Sequence, residues 1–117
     1  SHAGAIGLMQ VMPPTGAELA RTHGPDGFTE ESLTRPEVNL HLGSAFFVAM
    51  SRRYDGELPF VLSAYNAGPT RATRWRRYPE ASDLIRFTER IPFTETRGYV
   101  KNVRRNLALY EVLYGQD

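Results

Sequence analysis

The apolar positions along the chain recur at helical spacing in short segments, which proline and glycine separate. Residues 14–22 follow a Pro-Pro start and stop before Gly24, with Leu19 and Ala20 on an apolar side and Glu18 and Arg21 facing out. Residues 24–28 are rich in turn formers and read as a loop. Pro36 suits a first helical position, where its missing N–H costs nothing. From there Leu42, Ala45, Phe46, Ala49 and Met50 keep helical spacing until Gly56. Pro59 opens a short apolar helix that runs through Ala67 and closes at Gly68-Pro69, and residues 69–78 are helix-compatible but crowded with arginine. Ser82 or Asp83 can cap a helix over Leu84–Arg90, which Pro92 stops. Thr94 is expected to cap the last helix, with Val100, Val103, Leu107, Tyr110 and Tyr114 as its buried stripe and Gly115 as its end. Residues 5–12, apolar and short, admit either a small strand or a loop feeding a helix. Strand signals are otherwise nearly absent. Five or six helices in 117 residues predict one all-α domain spanning 1–117, without repeats or linkers.

Composition narrows this only a little. With 41% hydrophobic residues, a chain of this length can bury roughly two thirds of its unfolded surface. The absence of cysteine excludes disulfides, thiolate metal sites and a cysteine nucleophile. His2, His23 and His41 share no ligand spacing, so neither a metal nor a cofactor is expected. No apolar run reaches the ~18 residues needed to span a bilayer, and no stretch of these residues reads as a signal peptide. The net charge of +1 demands no polyanionic partner. Arg71, Arg74, Arg76 and Arg77 around Trp75 form a basic cluster, but no second basic stretch supports nucleic-acid binding. They read as a solvated face, with Trp75 structural or at a groove edge. The first residue is Ser1, so the chain reads as processed, excised or truncated.

Two segments exceed what a helical bundle needs. In Ala3-Gly4-Ala5-Ile6-Gly7-Leu8-Met9-Gln10-Val11-Met12-Pro13, two glycines beside methionines suggest backbone in close approach to a ligand. Gln10 is the lone amide of that run, and it reads equally as a turn residue bonded to its own backbone. In Ser63-Ala64-Tyr65-Asn66-Ala67-Gly68-Pro69, a phenol and an amide stand just before a Gly-Pro break. The plainer reading there is a packed Tyr65 and an Asn66 helix cap.

Together these stretches resemble one family. Gly7-Leu8-Met9-Gln10 and Ala64-Tyr65-Asn66-Ala67-Gly68 match two of its motifs. Ile91-Pro92-Phe93-x-Glu95-Thr96-Arg97-x-Tyr99-Val100 matches a third, and residues 33–43 match a fourth, with Arg35 where the family has Asp. The chain is similar throughout its length to the soluble-lytic-transglycosylase (SLT) domain of the lysozyme-like superfamily. The resemblance implies a lysozyme-like helical fold of the goose-type architecture, N-terminally truncated here. It implies cleavage of the β-1,4 bond between N-acetylmuramic acid and N-acetylglucosamine in peptidoglycan, with a 1,6-anhydro product. Protonating a glycosidic oxygen near neutral pH requires a carboxylic acid whose pKa is raised by burial. In this family a single Glu serves as acid and then as base toward the sugar's own C6 hydroxyl, an intramolecular attack that spares the entropy of recruiting water. That Glu is expected upstream of Ser1, so no catalytic acid is expected within the chain, which alone should be inactive. Glu18, Glu37, Glu57, Glu80 and Asp83 read as exposed helix faces or turns.

By the same resemblance, Ser1 and Tyr65 would support the catalytic carboxyl. Gly7, Leu8, Met9, Gln10, Met12, Ala64, Tyr65 and Asn66 would meet the glycan. Glu89, Glu95 and Tyr110 would contact substrate elsewhere, with Tyr110 also readable as a core residue and Arg97 as the tie of a neighbouring loop. The implied partner is a peptidoglycan glycan strand met by a monomer, in the bacterial periplasm or envelope or on a phage. The alternatives are a catalytically dead glycan-binding or scaffold module and a goose-type hydrolase.

Overall fold

The computed structural model describes residues 4–7 and 9–115. The chain divides into two units, residues 1–52 and 53–117. All regular elements among the described residues are helical. They are α1 (Pro13–His23), α2 (Pro36–Arg53), α3 (Leu58–Ala67), α4 (Pro69–Trp75), α5 (Leu84–Arg90) and α6 (Thr94–Tyr114). Short 3-10 helices occupy Glu30–Thr34 and Pro79–Ser82.

In the first unit, residues 5–12 form neither a full strand nor a plain loop. Ile6 and Val11 form one isolated antiparallel bridge, each N–H bonding the other's carbonyl at 3.0 Å. Val11, Leu33, Val38 and Leu42 make the core beneath it, with Ile6, Met9, Leu19, Ala20 and Phe28 packed alongside. Gly16 on α1 is required by this packing, because a Cβ there would lie 2.9 Å from the Phe28 ring.

In the second unit, α3 packs against α4, α5 and α6. Its residues Pro59, Phe60, Val61, Leu62, Ser63, Ala64 and Ala67 are buried. Phe60 meets Phe87 of α5 edge-on at 4.7 Å, and Trp75 of α4 meets Phe93 at 5.3 Å. Trp75 is 2% exposed, so it is a core residue. Asp83 caps α5 by accepting from the Ile85 and Arg86 amides.

Four expectations need correction. The arginine-rich helix α4 stops at Trp75, three residues earlier than expected, where the chain turns before Pro79. Thr94 does not cap α6; Phe93 holds the cap position without a side-chain bond, and Thr94 is the first helical residue. The arginines are not simply a solvated face. The Arg76 guanidinium packs over the Tyr54 and Phe60 rings and sits 3.7 Å from Asp55. Last, the apolar stripe of α6 is buried only at its start. Val100 is fully buried and Val103 half-buried, but Leu107, Tyr110 and Tyr114 are 44%, 62% and 67% exposed. The periodicity identifies the apolar face of the helix, but the side chains of its last turns are exposed.

Candidate functional site

The glycine turn of the first unit is built around a residue that its own sequence does not contain. Asn39, 1% exposed on α2, accepts from the Met9 N–H at 2.7 Å. Its amide nitrogen donates to the Ile6 carbonyl at 2.7 Å and the Leu33 carbonyl at 3.0 Å. A buried amide bonded on both ends fixes the turn in one register. Gly7, at φ +79°, lies directly over it, and a Cβ at Gly7 would stand 2.7 Å from Asn39 Cγ. The close approach that demands glycine is therefore to Asn39.

Gln10 has φ +51°, and its side chain donates to the Gly7 carbonyl at 2.8 Å. The amide thus serves the turn, yet the residue stays exposed and its carbonyl oxygen keeps acceptor capacity. Met9 packs against the core, whereas Met12 is 37% exposed. Ser1 and Leu8 lie outside the described residues.

The second polar group sits at the end of α3. Asn66 is not the helix cap; Gly68 is, at φ 97°. Asn66 Oδ1 instead accepts from the Thr96 hydroxyl of α6 at 2.7 Å, which leaves its amide nitrogen to donate elsewhere. Thr96 is fully buried, a polar position within an apolar stripe. Tyr65 is half-buried, and its phenol is pushed up to about 12, chiefly by burial and then by Tyr99. Burial raises the Tyr99 phenol as well. Both phenols therefore stay protonated and neutral throughout the physiological range. Ala64 is corrected: at 0% exposure it allows close helix packing and offers no surface to a ligand. Arg97 does tie down a loop, donating to the Ile91 carbonyl at 2.6 Å and to Thr94 Oγ1 at 3.4 Å.

The remaining candidates do not join either group. Glu89 on α5 pairs with Lys101 on α6 at 2.8 Å, and that bond holds its carboxyl below the usual range, opposite to the need of a general acid. Glu95 is exposed in the first turn of α6. Glu80 departs from expectation by being half-buried, with Arg90 at 4.0 Å. Tyr110 is exposed and is not a core residue; it leans on Tyr114 at 4.9 Å. It stands roughly 16 Å along the helix axis from Tyr99. Sequence reasoning missed Asn39, Thr96 and Tyr99 as members of these groups. All three lie inside quoted motifs, Asn39 within residues 33–43, and helical spacing from Val100 places Thr96 near the buried side of α6. It also missed that His23 and His41, 18 positions apart, meet edge to face, with His41 Nε2 3.0 Å from the His23 carbonyl oxygen.

An all-helical chain with a buried amide pinning a glycine turn, and a Tyr-Asn helix end pinned by a threonine, falls among lytic transglycosylase structures. It superposes with a TM-score of 0.83 on an inactive Glu-to-Gln mutant of the lytic transglycosylase Slt from Pseudomonas aeruginosa, at 36% identity over 98% of this chain and 19% of that one. The 70 kDa soluble lytic transglycosylase of Escherichia coli gives the same TM-score at 35% identity, over 99% of this chain and 19% of that one. Among curated relatives, the soluble lytic murein transglycosylase of Salmonella typhimurium is 38% identical over 99% of this chain and 18% of its own length. Residues 1–87 match the transglycosylase SLT domain model, and residues 90–117 match that of the soluble lytic transglycosylase helical domain. The chain belongs to the transglycosylase SLT domain family. It spans about a fifth of the length of these relatives. No described helix is long and apolar enough to cross a membrane.

Proposed function

We propose that this chain is the glycan-holding part of a lytic transglycosylase that cleaves peptidoglycan between N-acetylmuramic acid and N-acetylglucosamine and leaves a 1,6-anhydro end. The observation that carries the reading is the Asn66–Thr96 bond, which occupies the Asn66 oxygen and leaves its amide nitrogen as a donor next in sequence to the Tyr65 phenol. An N-acetyl carbonyl and a catalytic carboxyl both need such donors. Gln10 supplies an acceptor for a sugar hydroxyl or amide N–H. The general acid is a Glu supplied from outside these residues. Among the described residues, Glu95 is exposed, Glu89 is ion-paired and Asp83 caps a helix, while the half-buried Glu80 has the Arg90 cation at 4.0 Å. The Glu-to-Gln change in the inactive Pseudomonas aeruginosa relative accords with a single essential Glu. The setting is the bacterial envelope or a phage that attacks it.

The test compares the 117-residue chain with a version extended at its N-terminus to carry a Glu-Ser pair, each incubated with purified peptidoglycan and followed by mass spectrometry. Anhydro-muropeptides are expected only from the extended protein. Turnover by the 117-residue chain alone would overturn the assignment of the acid. Reducing ends in place of anhydro ends would replace the transglycosylase with a hydrolase, and glycan binding without turnover by the extended protein would leave a binding module.

A further inference from the structure

Helices α5 and α6 enclose a groove of about 240 Å³ lined by Ile85, Thr88, Glu89, Lys101, Arg104 and Arg105. It lies on the side of α6 opposite Tyr99: Lys101, Arg104 and Arg105 share one face at i, i+3 and i+4, while Thr96 and Tyr99 lie on the other. Three cations within one helical turn repel one another, and the groove contains a single anion, Glu89. Glu89 pairs with Lys101 at 2.8 Å, and at 60% side-chain exposure it can swing away at little cost. Arg105 donates to Asn102 at 2.9 Å, which aims its guanidinium without neutralising it. Arg104 is half-buried and has no acidic partner among the described residues. Ile85, 66% exposed, supplies an apolar wall beside these charges.

We propose that this groove binds a peptide carboxylate. Arg104 and Arg105 take its oxygens in forked hydrogen bonds, Ile85 covers a small apolar side chain, and Lys101 gives a second positive contact once Glu89 moves. The pairing of carboxylate with a small apolar residue fits the end of a peptide better than a phosphodiester, which has no such neighbour. Naming that peptide as a peptidoglycan stem rests on the function proposed above. The carboxylate site itself does not.

The test is an NMR titration of the 117-residue chain with acetyl-D-alanyl-D-alanine, its C-terminal amide and inorganic phosphate, following the arginine Nε–Hε signals. The free carboxylate should shift the Arg104 and Arg105 signals saturably, with a Kd on the order of millimolar, and the amide should not. The R104Q/R105Q variant should weaken binding by about tenfold or more, and Glu89→Gln should tighten it by freeing Lys101. Circular dichroism of each variant establishes that the helices persist. Equal shifts by carboxylate and amide, tighter binding of phosphate than of the peptide, or unchanged affinity in R104Q/R105Q would each overturn the proposal. Because no glycan or catalytic acid enters the titration, its failure is separate from failure of the turnover experiment.

Discussion

If Asn39 dictates the glycine turn, substitutions at Gly7 and Asn39 must be coupled, and the size of the coupling follows from the geometry. Asn39→Ala removes three hydrogen bonds, to Met9, Ile6 and Leu33. At about 1 kcal/mol net for each, that costs about 3 kcal/mol, a large share of the ~5–15 kcal/mol that holds a domain of this size. Gly7→Ala carries two costs. The backbone at φ +79° disfavours any Cβ by about 1 kcal/mol. The new methyl also overlaps the Asn39 amide, an overpacking worth about 1–3 kcal/mol. In the double variant the amide is gone, so only the backbone cost of Gly7→Ala should remain. The double variant should therefore be more stable than the sum of the singles by about 1–3 kcal/mol. Urea unfolding followed by circular dichroism gives the global values. Hydrogen exchange at the Ile6 and Val11 amides, whose bonds close the turn at 3.0 Å, gives the local ones. Additivity within about 0.5 kcal/mol would refute the claim that Asn39 excludes a side chain at Gly7.

Three further outcomes are expected. The Ser63 hydroxyl is fully buried and has no hydrogen-bond partner among the described residues. Ser63→Ala should raise stability by about 1 kcal/mol, and a fall in Tm would show that the hydroxyl is satisfied. With its phenol pushed up to about 12, Tyr65 contributes stability that is complete below its unfolded pKa of ~10 and is lost as pH rises toward 12. Discounted for solvent screening, the loss is about 1–2 kcal/mol. Tyr65→Phe should flatten that part of the alkaline unfolding profile, and an unchanged profile would refute the burial argument. On the bare end of α6, Leu109 and Val112 are 56% and 72% exposed. L109E/V112E should reduce concentration-dependent association in sedimentation while moving Tm by no more than about 3 °C. A larger fall would show that these side chains pack within the fold.

What the sequence revealed and what it withheld divide along the range of the interactions. Leu84–Arg90 is readable because its signals are local: an aspartate that caps and a proline that stops. Tyr65 and Asn66 are readable as a pair because they are adjacent before a Gly-Pro break. Asn39 falls inside the matched 33–43 stretch but was not readable as the centre of a site, since its partners lie up to 33 positions away. The burial of α6 failed for a related reason. A stripe at helical spacing reports which face is apolar, and Thr96, Val100 and Tyr110 all obey it. Burial depends on a partner: α6 packs against α3 and α5, and Val100 is buried whereas Tyr110 is 62% exposed. The glycine of the turn joins the two cases. A flexible residue in a motif suggests a ligand at close range, but the observed neighbour is an amide of the fold itself. Gly7 must therefore stay glycine for folding whether or not a glycan ever lies against it. Asn39→Ala separates the two demands: if the fold alone requires glycine, that variant should tolerate Gly7→Ala, whereas a glycan's own close approach would still require it.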